Sequence, residues 1–352
     1  MTRLETIRMR PNIRPLTSVR FFAALLVVFF HYSNKHLVLP EVLTSFGYEA
    51  VTFFFVLSGF ILTYTHGLAR GINISAREFA LSRFARIAPA YFLALLISAP
   101  FILKTVDWRV SLVPLMLQSW WPSAALLWNS PAWSLSNEVF FYALYPAVWR
   151  IWWCRLTQFT SLSLAVALVL TTSLLRMLFP DDSSNWHDFS AYFPLLNLPQ
   201  FVLGAALGKL FLQRGPSRQS DIIFCTSIGL LGFIISYKSE IQWLGDNILL
   251  CLVFGAIIYG LAGLGPLLRS ILSAPPLVSL GDASYAIYIL HAPIWLWWDR
   301  IFRVLLNLNI KPEFDFAAYL TFLFAACVVV NRLFEKKVSR QIKRVGVAIT
   351  AR

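Results

Sequence analysis

Charge is scarce in this chain. Only 13% of its 352 residues are charged, and acids are the rarer sign, 17 against 30 Lys and Arg. No segment is both long and polar enough to form a soluble domain of its own. Cysteine is scarce too. Cys154, Cys225, Cys251 and Cys327 form no CxxC pair and lie in or beside apolar runs, which excludes a disulfide framework and a thiolate metal centre. They read as small buried hydrophobes. The five histidines show no metal-ligand spacing, so no metal is expected, and there is neither a P-loop nor a Gly-x-Ser-x-Gly elbow. No repeat and no low-complexity linker is present. No small-x-small cleavage site follows the first apolar run, which ends in His31-Tyr32-Ser33, so that run is a retained span rather than a signal peptide.

What fills the chain is apolar: 58% hydrophobic residues, with 30 Phe and 13 Trp. This exceeds what a soluble core uses and points to an all-α, polytopic membrane helix bundle. Runs of about 17–25 apolar residues are long enough to span. They fall at 16–36, 47–66, 87–105, 133–153, 160–179, 192–212, 222–238, 244–264, 280–298 and 316–334, about ten transmembrane helices. The run 109–121 is short and broken by Pro114 and Pro122, and is expected to be re-entrant or to lie on the surface. We expect one membrane domain over 1–352, with a core at 15–336 and a basic tail at 337–352 on the inner leaflet. With both termini in the cytoplasm, the arginine-rich segments fall inside and the acidic loop at 181–188 outside, as the positive-inside rule requires. The net charge of +13 then reflects topology and anionic lipid, not nucleic acid.

Within this frame a few polar residues sit at membrane depth, where they are costly and face protein or water. Arg20 and His31 are eleven positions apart, three helical turns, so they share one stripe about 16 Å apart along the axis. A histidine there can act as general base or nucleophile near neutral pH. Ser58 and Gly59 in FFFVLSGF permit close helix approach or a local break. Arg83 and Arg86 in SRFARIAPAYF share a helix face and suit a polyphosphate, although topology and lipid phosphate account for them as well. Trp133 reads as an interface anchor. Glu138, in PAWSLSNEVFFY, needs a partner, either His31 from the first span or a structural one such as Arg109 or Lys35. In LGDASYAIYILH, Asp282 reads as an N-cap and His291 as a packing residue more than a second active-site group.

Taken in order over residues 20 to 291, these blocks resemble the membrane-bound acyltransferase-3 family of bacterial O-acyltransferases. The resemblance implies transfer of an acyl group, usually acetyl, from cytoplasmic acyl-CoA to a hydroxyl of a surface or lipid-linked carbohydrate. It implies a multi-pass protein of the bacterial inner membrane. His31 matches the essential histidine, Arg20 its partnering arginine, and Arg83 and Arg86 the pair that meets the CoA donor. Ser58 and Gly59 match the small-residue break near the acyl path, and Glu138 the acidic position of the Trp-Ser-Leu block. So His31 and Glu138 are the expected catalytic residues, and Arg20, Arg83, Arg86, Ser58 and Gly59 line the donor path. The expected partners are acyl-CoA, a carbohydrate acceptor and membrane lipid, and an oligomer of identical chains is compatible with the sequence. Two departures stand out. Thr52 occupies a position where members often carry an acid, with Glu49 the nearest carboxylate, and the C-terminal hydrolase-like domain of some members is not expected here. A proton-coupled transporter or flippase of a lipid-linked sugar is the rival reading.

Overall fold

The computed structural model describes residues 10, 12–36, 44, 46–68, 71–72, 75–102, 107–149, 155–178, 184–237, 246–307 and 311–350. The fold is a bundle of helices: α1 (Arg14–His36), α2 (Gly47–His66), α3 (Ala76–Ile102), α4 (Trp133–Val148), α5 (Gln158–Leu178), α6 (Ser184–Tyr192), α7 (Pro194–Arg214), α8 (Ser220–Ser236) and α9 (Asp246–Ala262). Then follow α10 (Pro266–Leu272), α11 (Pro275–Asp282), α12 (Ser284–Asp299), α13 (Pro312–Val329) and α14 (Lys336–Thr350). A two-residue antiparallel hairpin, β1 (Gly67–Leu68) and β2 (Gly71–Ile72), joins α2 to α3.

Local chemistry sets the ends. α7, α10, α11 and α13 open on proline, whose fixed φ and missing N–H suit a first turn. α3 opens on a reciprocal capping box. The Ser75 amide donates to Glu78 Oε2 at 2.9 Å, and the Glu78 amide donates to Ser75 Oγ at 3.1 Å, so two orphan donors of the first turn are satisfied.

Among the described residues six helices are long and apolar enough to cross a membrane, and two bent pairs raise the number to eight. The pairs are α9 with α10, bent by 104°, and α11 with α12, bent by 58°. The expected count of about ten is not reached, although each expected stretch overlaps a helix. The stretches at 133–153 and 222–238 form helices of 16 and 17 residues. At about 1.5 Å per residue the described parts of these helices fall short of a hydrocarbon core about 30 Å thick. Residues 150–153 of the first stretch lie outside the described residues.

The tightest packing joins α2 to α7. A Cβ on Gly59 would sit 2.0 Å from the Phe201 carbonyl oxygen, and one on Gly204 1.8 Å from that of Val56. Without side chains the two backbones touch, which is how small residues associate membrane helices. The run 109–121 is neither a span nor a loose loop. It belongs to a series of 3-10 turns between residues 108 and 132 that covers the start of α4. The buried Gln118 donates to the Ala132 carbonyl at 2.9 Å and the buried Ser119 to that of Trp133 at 2.7 Å. Trp128 takes φ +66°, strained for a residue with a Cβ, and its indole N–H donates to the Leu95 carbonyl at 3.1 Å.

Three smaller expectations change. Trp133 is buried, stacked 5.8 Å from Tyr48, rather than anchoring an interface. Cys225 is exposed, whereas Cys251 and Cys327 are buried, and Cys154 lies outside the described residues. Ala283, not Asp282, caps α12, and Asp282 instead pairs with Lys336 at 2.9 Å.

Candidate active site

α1 is one unbroken helix from Arg20 to His31, so the three-turn interval holds. His31 Nδ1 lies 2.9 Å from the Val27 carbonyl oxygen, one turn back. A carbonyl only accepts, so Nδ1 carries the hydrogen of the neutral ring and Nε2 is the basic nitrogen. The ring of His291, on α12, lies 5.0 Å away between centroids. Its Nδ1 lies 2.7 Å from the Tyr288 carbonyl oxygen, which sets the same tautomer. His291 thus packs against the ring of His31 where α1 meets α12.

Beside this ring pair, Tyr32 donates to Asp315 at 3.4 Å. Asp315 is buried and also accepts from Trp298 Nε1 and Arg303 Nη2, each at 2.8 Å. This network ties α1, α12 and α13 together where the two imidazoles meet.

Glu138 is held otherwise than expected. Its Oε1 accepts from Ser58 Oγ at 3.0 Å and its Oε2 from the Tyr142 hydroxyl at 2.8 Å, and the two hydroxyls are themselves 2.8 Å apart. The triangle follows from spacing: Tyr142 is four residues beyond Glu138, on the same helix face, and Ser58 faces both from α2. The expected Glu138–His31 pair is not formed; the carboxylate bonds to hydroxyls of α2 and α4 instead. Nor is Arg109 the partner. Its Nε donates to Asp107 Oδ2 at 2.7 Å, and this bond holds the Asp107 carboxyl below its ordinary range. Lys35's side chain lies outside the described residues.

Ser58 and Gly59 take separate roles. α2 runs straight through both without a break. Ser58 belongs to the carboxylate triangle, and Gly59 to the α2–α7 contact.

Toward the other end lie the arginines. Arg20 is within electrostatic reach of Glu138, Arg86, Asp282 and Tyr142. Arg83 lies over the Phe79 ring at 5.8 Å and within reach of Tyr142, Arg86 and Glu138. Arg86, one turn on, lies over the Tyr285 ring at 5.7 Å and remains exposed. Tyr288 connects the two ends. Its hydroxyl is 2.7 Å from Ser134 Oγ, its ring 6.5 Å from that of His291, and Glu138 is within electrostatic reach.

The fold thus gathers Arg20, Arg83, Arg86, Ser58 and Glu138, with His31 farther along α1 beside His291. Tyr142 and Tyr288 are the additions. Tyr142 could have been found from its i+4 spacing to Glu138, whereas Tyr288 carried no such signal. Among the described residues no group of three His, Cys, Asp or Glu side chains could hold a metal ion.

A family model described as an acyltransferase domain matches residues 16–332. The chain is 29% identical over 322 residues to a Streptomyces mycarofaciens protein named acyltransferase MdmB, covering 78% of this chain and 77% of that one. It is 24% identical to YrhL of Bacillus subtilis, which carries the name of a peptidoglycan O-acetyltransferase, over 79% of this chain and 48% of the other. It is 23% identical to a Staphylococcus aureus protein named as an O-acetyltransferase, over 82% and 51%. The chain therefore spans about half the length of these last two relatives. No solved structure matches.

Proposed function

The chain belongs to the acyltransferase-3 family, a family of multi-pass membrane O-acyltransferases, and from that premise we propose that it moves an acyl group, acetyl in the simplest case, from acyl-CoA to a carbohydrate hydroxyl. The observation that carries this reading is the joining, within one bundle, of a basic cluster and an imidazole pair. Arg83 and Arg86 suit the donor phosphates, since guanidinium grips phosphate bidentately. Arg20 extends the positive charge inward. The thioester supplies the electrophilic carbonyl.

His31 Nε2 accepts the proton of the acceptor hydroxyl as its oxygen bonds to that carbonyl. The carbon–sulfur bond then breaks, and the proton passes from the imidazolium to the leaving thiolate. His291 supports the ring of His31. Glu138, fixed by Ser58 and Tyr142, supplies negative charge that holds Arg20 inward. By the positive-inside rule the arginine end faces the cytoplasm of a bacterial inner membrane, with both termini on that side. A carbohydrate acceptor agrees with the peptidoglycan in the name of the Bacillus relative.

The donor is tested by heating the purified protein with CoA. At about 100 times its Kd a ligand stabilises by about 2.7 kcal/mol, so the unfolding midpoint should rise. Arg83→Ala combined with Arg86→Ala should remove the shift. A wild-type midpoint indifferent to millimolar CoA rejects the donor, and a transporter of lipid-linked sugar predicts that indifference. Mass spectrometry of host surface glycans, with and without the protein, identifies the acceptor: a missing acyl mass on a sugar is the expected result.

A further inference from the structure

Besides its basic character, the C-terminal tail makes a contact within the bundle. α14 docks along α3, beside Arg83. A Cβ on Gly346 would lie 2.0 Å from Leu81 Cδ2, so the two helices are in contact there. At its other end, Lys336 Nζ donates to Asp282 Oδ2 at 2.9 Å. Lys343 lies one turn before Gly346 and so faces the same way. Its electrostatic neighbours are Arg83 and Arg86, both cations. Glu335, which ends the turn before α14, is within reach of Arg86 and Arg20 but is buried and hydrogen-bonded by Asn331 at 2.9 Å.

Three cations from two helices thus converge at one spot, faced by the carboxylates of Glu335 and Glu138. Like charges brought together raise the energy of the free protein, and a bound polyanion lowers it. We infer that α14 is a wall of the donor site and that Lys343 binds the phosphates of acyl-CoA together with Arg83 and Arg86. The inference rests on the acyl-CoA reading. An ammonium on a flexible stem complements two planar guanidiniums, because it follows whichever phosphate oxygens they leave open.

The test measures CoA binding to the full-length protein in neutral detergent, with pantetheine as the phosphate-free probe. Lys343→Glu should weaken CoA about tenfold, the loss of one charge-assisted hydrogen bond, while leaving pantetheine unchanged. Lys343→Arg should retain most of the affinity. Lys337→Glu, on the exposed side of α14, should bind as wild type; an equal loss there would mean bulk charge and overturn the inference. If Arg83→Ala weakens CoA and Lys343→Glu does not, α14 is no part of the site although the donor reading stands. If wild type binds no CoA, both fail. If Lys343→Glu matters only in vesicles of anionic lipid, the helix is a surface anchor and the inference is wrong.

Discussion

Replacing His31 with alanine is expected to lower acyl transfer by about 10²–10⁴-fold, the range that one positioned general base contributes. Between Arg20 and Lys35 the ring is the one basic group on α1, and its tautomer is fixed by the Val27 carbonyl. Removing it takes away the proton acceptor while sparing the Tyr32–Asp315 network on the next residue. The variant should therefore purify with a wild-type unfolding midpoint and still be stabilised by CoA. His291→Ala should cost less, because that ring acts through its neighbour. Transfer by His31→Ala at near wild-type turnover would falsify the assignment and favour a transporter or a scaffold.

Gly204→Val should be the most damaging single change to stability. The new Cβ would lie 1.8 Å from the Val56 carbonyl oxygen and 2.7 Å from its carbon. That neighbour is backbone, not the tip of a movable side chain, so α2 and α7 must separate. Overpacking costs about 1–3 kcal/mol where side chains can yield, and here they cannot. Separation would also pull Ser58, on the same stretch of α2, away from Glu138. We expect little folded protein on size-exclusion chromatography and a sharply lowered midpoint for what remains. Gly229→Val is the comparison, because nothing lies within 4 Å of its Cβ position; similar losses in both variants would mean that the α2–α7 contact is not special.

The all-α bundle was legible in the sequence because long apolar runs have few other folds open to them. The span count was not. Hydropathy sees apolar length but not where a helix bends, and α9 turns by 104° into α10. The arginines, Glu138 and His31 stood out because charge at membrane depth is conspicuous. Their partners did not, since Ser58 and Tyr142 are ordinary residues until packing turns their hydroxyls toward one carboxylate. Gly59 shows the same limit from the other side. Its place next to Ser58 implied a shared role, yet neighbouring residues on a helix point about 100° apart, and one faces α4 while the other faces α7.

The unbroken course of α1 has a consequence for how the sequence can drift. Guanidinium and imidazole are set in phase by helix geometry alone, with no turn between them to absorb a change of length. One inserted residue between Arg20 and His31 would swing the ring about 100° out of register, toward lipid or a neighbouring wall. Four would nearly restore its bearing while displacing it by about 6 Å. Loops elsewhere can lengthen freely, but this interval works as a ruler, and a donor arm of different reach would need a different helix.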